Sequence, residues 1–341
     1  TFGSPSVLMM FHRAPGLLPQ ELREMEECMP HYYRITNGHG RGAERIMDAE
    51  AAFMQGRFSD AQIALESAYA QIEGNGQENM ALCCDFLAWR MSLCTDEKPR
   101  CTFAQRREEL KRHHNAAWIK LLDASCAYYQ ALCGRTEQIP DVFAEHRLAS
   151  LNFLAPGKPM MELIENQVYL AQEAYARVIA RSEGLLGACA GLHYALVALH
   201  IRIQTAAAYA ALGKRAEALE QMNAGLLIPF AENFRWLREL LPQCTDGASA
   251  ELTGRILELG ARYEARLAPQ PEALMALTAR EREIAQLAAA RLSNREIAEK
   301  LFLSEGSVKQ YVNQIYSKLF LDGDTRTKRR RLAELLNADT P

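Results

Sequence analysis

The pattern of apolar and polar positions in the last part of the chain predicts a set of short helices. Thr278 and Ser293 are each followed three residues later by a glutamate, Glu281 and Glu296. In this arrangement the hydroxyl and the carboxylate satisfy free N–H groups at the start of a helix. Apolar residues recur at helical spacing after each pair, so we predict that two helices begin here and share one small core.

A third helix is predicted from Glu305 to about Leu319, with Ser304 as its N-cap. Its apolar residues step by three or four positions and form one stripe, which comprises Val308, Val312, Ile315 and Leu319. The opposite face carries amides, hydroxyls and one cation, namely Ser307, Lys309, Gln310, Asn313, Gln314 and Ser317. Side chains of this kind read base edges and hold phosphates in protein–DNA complexes. The same face is also consistent with the polar side of any small helical subdomain.

The string at residues 277–319 resembles the helix-turn-helix domain of LuxR-type bacterial regulators. The matching segments are LTAREREI, LSNREIAEKL, SVK and IYSKL. The resemblance implies that the third helix enters the major groove, with Lys309, Gln310 and Asn313 placed to contact bases.

A fourth helix is predicted from roughly Thr327 to Leu336, and it opens with a run of four cations. Such a run is either a solvated face or, beside a recognition helix, a phosphate contact that gains affinity from counterion release. The complete set of predicted DNA-binding residues is Arg295, Ser307, Lys309, Gln310, Asn313, Gln314, Lys318, Lys328 and Arg329.

Two positions depart from the LuxR pattern. Tyr311 stands where the family usually has histidine, and Phe320 stands where it usually has the glycine that ends the third helix. A bulky residue disfavours the left-handed conformation that such a glycine serves. We therefore expect the exit from the third helix to differ from the family geometry.

The earlier part of the chain contains an internal repeat. Helical patterns run into a glycine at Gly56, Gly134 and Gly213, and Glu173 takes the place of the glycine in a similar segment. The separations are 78, 39 and 40 residues, so a further repeat is expected near Cys94. A period near 39 predicts stacked helix pairs.

These repeats resemble tetratricopeptide repeats. The positions where that motif keeps small, aromatic and turn residues are occupied by Ala206, Tyr209, Gly213, Ala218 and Met222. The period exceeds the 34 residues of the motif, so we describe the repeats as tetratricopeptide-like. A generic helical bundle is the alternative interpretation.

The predicted fold class is all-α, with a tetratricopeptide-like superhelix followed by a four-helix LuxR-type helix-turn-helix domain. Two prolines, Pro269 and Pro271, disfavour a continuous helix between these parts. We therefore predict a helical-repeat sensor or interaction domain at 1–268, a linker at 269–276 and the DNA-binding domain at 277–341.

The order of these parts resembles the C-terminal part of the large ATP-dependent LuxR regulators, the MalT-like group. Phrases such as FGSPSVLMMFHR, YYRITNGHG and IPFAEN fit that group. The sequence contains no GxxxxGK[ST] phosphate-binding loop, and it begins with Thr1. We therefore expect a piece of a longer protein, with any NTPase region outside it.

Charge and cysteine content favour a cytoplasmic DNA-binding protein. The formal net charge is −3, but the residues from Gln270 onward carry 12 Lys/Arg against 10 Asp/Glu, which leaves −5 for those before. This mild basicity predicts modest DNA affinity unless the protein dimerises. The nine cysteines show no metal-ligand spacing, although Cys83, Cys84 and the Cys94/Cys101 pair invite that hypothesis, so we expect buried apolar thiols and neither metal nor cofactor.

These features predict a transcription regulator whose repeats bind a small-molecule inducer or a protein partner, and whose C-terminal domain binds promoter DNA. Self-association on DNA is expected, RNA polymerase is a further candidate partner, and no membrane partner is expected. The alternative is an interaction adaptor with a weak or inactive DNA-binding domain. We expect no enzymatic activity because no nucleophile, acid and base converge recognisably. A response regulator is disfavoured because its receiver domain needs alternating strands and helices.

Overall fold

The computed structural model describes residues 4–74, 76–222, 227–243, 250–267 and 277–337. Over these residues the chain forms helices and no strands, as the sequence predicts. The chain divides into two compact units, residues 1–266 and 267–341. The predicted linker at 269–276 lies outside the described residues.

The first unit consists of helices of very different length, numbered here in chain order. They are α1 (Leu8–Phe11), α2 (Leu18–Ile35), α3 (Ala43–Met54), α4 (Phe58–Ile72), α5 (Glu78–Met91), α6 (Phe103–Arg112), α7 (Ile119–Leu132), α8 (Asp141–Ala144), α9 (Lys158–Ala171), α10 (Tyr175–Leu192), α11 (Ala195–Ala211), α12 (Arg215–Met222), α13 (Leu227–Glu232), α14 (Phe234–Leu237) and α15 (Ala250–Leu267). Neighbours in sequence pack together, α3 on α4, α10 on α11 and α11 on α12. Small residues of α3, α4 and α11 are fully buried, among them Ala49, Ala61 and Ala206.

The repeated turn recognised in the sequence has one backbone conformation. Gly56, Gly134, Glu173 and Gly213 all have positive φ angles, of 72°, 68°, 61° and 74°. A left-handed residue of this kind commonly ends a helix. At Gly56 a β-carbon would also lie 2.5 Å from Leu227 Cδ2, so a larger residue would have to displace that side chain as well as adopt the positive φ.

The further repeat expected near Cys94 falls at a turn. Helix α5 ends at Met91, Cys94 lies three residues beyond it, and α6 begins at Phe103. No left-handed residue marks the turn in this stretch of the described chain. The tetratricopeptide-like assignment itself stays a prediction.

A buried ion pair lies in the core of the first unit. Arg90 is 2% exposed, and its Nε and Nη2 donate to the two carboxylate oxygens of Glu232 at 2.7 and 3.1 Å. The Tyr128 hydroxyl donates to the same carboxylate at 2.8 Å. The rings of Phe53 and Phe86 pack against the guanidinium. Charge-assisted hydrogen bonds on both oxygens compensate the desolvation of the pair, which connects α5 to α13.

The cysteines of the first unit behave mostly as apolar core residues. Cys83, Cys84, Cys94 and Cys126 are buried and free. Burial raises the pKa of Cys126 to about 11, so this thiol stays protonated near neutral pH. Within the described ranges no group of three or more His, Cys, Asp or Glu side chains could hold a metal ion.

Over residues 277–337, the part of it that the structure describes, the second unit contains four helices, α16 (Ala279–Ala289), α17 (Asn294–Leu301), α18 (Glu305–Lys318) and α19 (Thr325–Asn337). The last of these begins two residues before the predicted start. One cluster of buried side chains drawn from all four helices forms its core, with Ile284, Ile297, Ile315 and Leu332 at full burial. No helix in the described part of the chain is both long and apolar enough to cross a membrane.

Candidate nucleic-acid interface

Both predicted capping boxes are confirmed. The Thr278 hydroxyl accepts from the Glu281 N–H at 3.3 Å, and the Glu281 carboxylate accepts from the Thr278 N–H at 2.7 Å. Ser293 and Glu296 form the same pair of bonds at 3.2 and 2.7 Å. These reciprocal bonds fix where α16 and α17 begin, and therefore where the turn before α18 lies.

The third helix begins with a serine cap, as predicted. The Ser304 hydroxyl accepts from the Ser307 N–H at 3.1 Å, and the two hydroxyl oxygens lie 2.8 Å apart. Ser307 is half-buried at this helix start. Its hydroxyl is thus already paired, and its predicted contact with DNA stays a prediction.

The apolar stripe of α18 faces the core. Val308, Val312, Ile315 and Leu319 are all buried against the other helices of the unit. Burying four such side chains contributes on the order of 1.5–3 kcal/mol each, which holds α18 firmly against α16 and α17. The orientation of its opposite face is therefore fixed by the core.

That opposite face is exposed and unpaired. Lys309, Gln310, Asn313 and Gln314 are exposed, and their side chains make no hydrogen bond within residues 277–337. Paired amide donors and acceptors are suited to the edge of adenine, and a lysine is suited to guanine or a phosphate. The structure therefore brings these four predicted residues together on one accessible surface, which we call the α18 polar face.

Lys318 lies at the far end of α18 and is already engaged. Its Nζ donates to the Glu281 carboxylate at 2.7 Å. This hydrogen bond, together with the bond from the Thr278 N–H, lowers the pKa of Glu281. Lys318 thus connects the end of α18 to the start of α16, and a phosphate contact would compete with this bond.

Arg295 lies on α17 with its side chain exposed. It pairs with Glu299 one turn later, Nε to Oε1 at 3.1 Å. Exposed pairs of this spacing stabilise a helix by only about 0.3–0.5 kcal/mol. The guanidinium can therefore leave its partner for a phosphate at little cost.

Two residues of the predicted basic run, Lys328 and Arg329, already contact other residues of the second unit. Arg329 donates to the Leu292 carbonyl at 2.8 Å and to the Asn294 side chain at 2.7 Å. Lys328 lies 5.9 Å from the centre of the Tyr316 ring. Hydrogen bonds at the start of α17 thus give Arg329 a positioning role that the sequence pattern did not indicate.

A second arginine holds the other end of α17. Arg280 Nη2 donates to the Leu301 carbonyl at 2.9 Å, while Nη1 pairs with Glu283 at 2.7 Å. Arg280 and Arg329 therefore contact the last and first turns of α17 from α16 and α19. Sequence reasoning missed both roles, because the acceptors are backbone carbonyls that a residue pattern does not show.

The exit from α18 corrects our expectation about Phe320. We expected a bulky residue there to change the family geometry, but Phe320 itself adopts the left-handed conformation, with φ 51°. The Leu321 N–H donates to the Tyr316 carbonyl at 2.9 Å, and the Phe320 N–H donates to the Ser317 carbonyl at 3.2 Å. These are the two bonds of a Schellman motif, so the helix ends as it would with glycine.

Comparisons with known proteins agree with this geometry. Residues 275–327 match the family model for bacterial regulatory proteins of the luxR family. The transcriptional regulatory protein LnrK of Bacillus subtilis (strain 168) is 48% identical over 50 residues, which cover 15% of this chain and 23% of that protein. The chain thus spans about a quarter of the relative's length, and no solved structure matches it. The domain at residues 275–327 of this chain belongs to the luxR family of bacterial regulatory proteins.

Proposed function

We propose that this chain is a DNA-binding transcription regulator. The observation that carries the proposal is the α18 polar face, which is exposed, unpaired and fixed by the buried stripe behind it. It lies within a domain of the luxR family, and the name of its relative describes a transcriptional regulatory protein. Polar side chains in this position on a third helix are suited to the major groove.

Within this proposal the residues divide into two roles. Gln310 and Asn313 read base edges, because each amide offers a donor and an acceptor to a base. Lys309 and Arg295 contribute sequence-independent attraction to phosphates. The residues from Gln270 onward have a formal charge of only +2, so two copies on adjacent half-sites would supply the affinity that one copy lacks.

We further propose that the first unit senses an inducer or a protein partner and controls this pairing. The all-helical unit and the MalT-like phrases of its sequence support the proposal. On this view the chain acts in the cytoplasm by binding and has no enzymatic activity. A contact with RNA polymerase belongs to the same proposal, because a regulator bound at a promoter lies near that enzyme.

The test is a selection of binding sites from random duplex DNA with the full 341-residue chain. The enriched sequence is then titrated against a scrambled duplex with the parent protein, Gln310→Ala and Asn313→Ala. Each substitution should cost about 1–3 kcal/mol on the selected site and relax the preference at particular bases. Lys309→Ala should instead weaken both duplexes alike and flatten the salt dependence.

Gln286→Ala provides the matched control, because Gln286 is an exposed glutamine on α16, outside α18. It should leave both affinities unchanged. An unchanged sequence preference in Gln310→Ala and Asn313→Ala would remove the α18 polar face from base reading. Failure of the parent to enrich any sequence would favour the adaptor, with an inactive DNA-binding domain.

A further inference from the structure

A cleft of about 380 Å³ opens on the first unit, between the loop after α2 and the start of α5. It is lined by Tyr33 and Arg34, by loop residues 37–39, by Arg41 and by Gln77. Its size falls in the range of about 300–1,000 Å³ typical of small-molecule sites. The lining is polar, with a phenol and an imidazole as its two rings and no aliphatic side chain, which is suited to a hydrophilic ligand.

The cleft carries positive charge without a matching carboxylate. Arg34 and Arg41 are exposed, and neither forms a salt bridge within the described residues. Arg45, by contrast, pairs with Asp48 at 2.9 Å. None of the side chains that line the cleft is acidic. Two guanidinium groups on one concave surface attract an anion, since such a surface concentrates their field.

One carboxylate, that of Glu44, is bonded to a residue of the cleft lining. The Tyr33 hydroxyl donates to the Glu44 carboxylate, which lies on α3 and outside the cleft lining. Arg34 shares one hydrogen bond, from Nη2 to His31 Nδ1 at 2.7 Å. A guanidinium has five N–H donors, so most of those on Arg34 remain for a ligand.

A buried amide adds a second and independent sign of a ligand. Gln77 is only 6% exposed, and its Oε1 accepts from the Gly40 N–H at 2.6 Å. That bond fixes the amide orientation, and Nε2 then has no hydrogen-bond partner in the described structure. A buried donor without an acceptor is costly, and an acceptor supplied by a bound molecule would remove that cost.

We propose that this cleft binds a small hydrophilic metabolite through an oxyanion, either a phosphate or a carboxylate group. Arg34 and Arg41 pair with the anion, and the Gln77 amide donates to an oxygen of the same molecule. The inference rests on the proposed function, because it assigns the chemical class and the site of the inducer that the first unit senses.

Isothermal titration of the full 341-residue chain tests the site with four probes, inorganic phosphate, glycerol 3-phosphate, succinate and neutral glycerol. We expect one equivalent of glycerol 3-phosphate or succinate to bind, and glycerol not to bind. Which of the two binds more tightly separates a phosphate ligand from a carboxylate ligand. Arg41→Gln should weaken the binding about tenfold or more, the usual effect of losing one charge-assisted hydrogen bond.

Two further variants distinguish a specific anion site from a general effect of positive charge and from a loss of folding. Gln77→Glu keeps an acceptor for the Gly40 N–H but replaces the donor with a negative oxygen, so binding should be lost while the fold is kept. Arg112→Gln removes one exposed arginine outside the cleft and should leave binding unchanged. Equal affinities in Arg41→Gln, Gln77→Glu and Arg112→Gln would overturn the site, and so would the absence of binding by all three anions.

DNA titrations of the same proteins separate this inference from the proposed function. If the protein binds DNA as expected but binds no anion, the proposed anion site is wrong and the proposed regulator stands. If the protein binds an anion but selects no DNA sequence, the proposed anion site is supported and the proposed function as a DNA-binding regulator is wrong. An anion that alters the DNA affinity of the parent but not of Arg41→Gln would support both.

Discussion

Two phenylalanines in the second unit have a left-handed backbone and point into solvent. Phe302 follows α17 and is 96% exposed, and Phe320 follows α18 and is 89% exposed. A left-handed backbone costs an L-residue roughly 1–2 kcal/mol, whereas glycine adopts it freely. The side chains gain little from burial here, so both positions retain conformational strain.

Phe320→Gly should therefore stabilise the second unit. Relief of the left-handed penalty outweighs the roughly 0.5–1 kcal/mol of extra chain entropy that glycine loses on folding, so a net gain of about 0.5–1 kcal/mol is expected. Native-state hydrogen exchange of the α18 amides measures it within the whole chain. Phe320→Ala keeps the β-carbon and the strain, so its effect should be close to zero. Equal effects of the two substitutions would show that the ring, not the backbone, determines the stability.

Glu281 combines a helix cap with a cross-helix bond, and its stability contribution should depend on pH. Its pKa is lowered by the bond from Lys318 and then by the Thr278 N–H. A carboxylate whose pKa is lower in the folded state stabilises the fold above its unfolded pKa, about 4.3, and loses that contribution as the pH falls through the folded pKa. Glu281→Gln should thus cost about 1 kcal/mol at pH 7, with the difference from the parent disappearing below pH 4.

Hydrogen exchange of the α16 amides at pH 7, and chemical denaturation at several pH values, measure this effect. Glu299→Gln is the matched control, because its bond to Arg295 is exposed on both sides and weakly stabilising. A constant destabilisation by Glu281→Gln from pH 3 to pH 7 would contradict a charge-dependent contribution.

The sequence predicted helices in both units, but it placed helix starts at particular residues in the second unit alone. Each capping box is a local pattern, in which the serine or threonine and its glutamate are three residues apart. The start of α16 and of α17 could therefore be placed from sequence alone. The bonds of Arg329 to the start of α17 cross more than thirty residues and end on a carbonyl, so no pattern revealed them.

In the first unit, too, contacts between residues far apart in the sequence could not be predicted. The repeat pattern placed turns at Gly56, Gly134, Glu173 and Gly213, because each turn depends on residues a few positions apart, and all four have positive φ angles. Arg90 and Glu232 are 142 residues apart in the chain. Nothing near either residue indicates its partner, and Arg90 reads in the sequence as an ordinary surface cation.

The ion pair of Arg90 on α5 with Glu232 on α13 should stabilise the first unit by several kcal/mol. Glu232→Gln keeps the side-chain shape but leaves the Arg90 charge buried without a counter-charge, and breaking such a pair typically costs about 3–5 kcal/mol. Urea denaturation monitored by hydrogen exchange of the α5 amides measures the loss. Glu264→Gln breaks an exposed pair with Arg238 and should cost well under 1 kcal/mol. Similar losses of unfolding free energy in the two variants would mean that the buried ion pair stabilises the fold no more than an exposed one.

For the whole molecule, two separate cores make two separable functions feasible. Among the described residues, the core of the second unit draws on positions from Leu277 to Leu332, and the first unit closes its own core around Arg90 and its neighbours. The boundary between the two compact units falls at 266/267. The domain boundaries proposed from sequence, with a linker at 269–276, rest on Pro269 and Pro271, which disfavour helix and favour extended backbone.

Limited proteolysis of the full chain should accordingly cut first between about Leu267 and Leu277. Proteases need an accessible extended segment, and each core buries its own helices, so cleavage within a helix requires local unfolding. The released C-terminal fragment should bind the selected DNA, and its affinity should fall as salt rises because phosphate contacts displace counterions. The fragment should also lose any response to the anion that binds the cleft of the first unit. First cleavage inside the repeats, or a fragment that no longer binds DNA, would contradict the separation of a sensing unit from a DNA-reading unit.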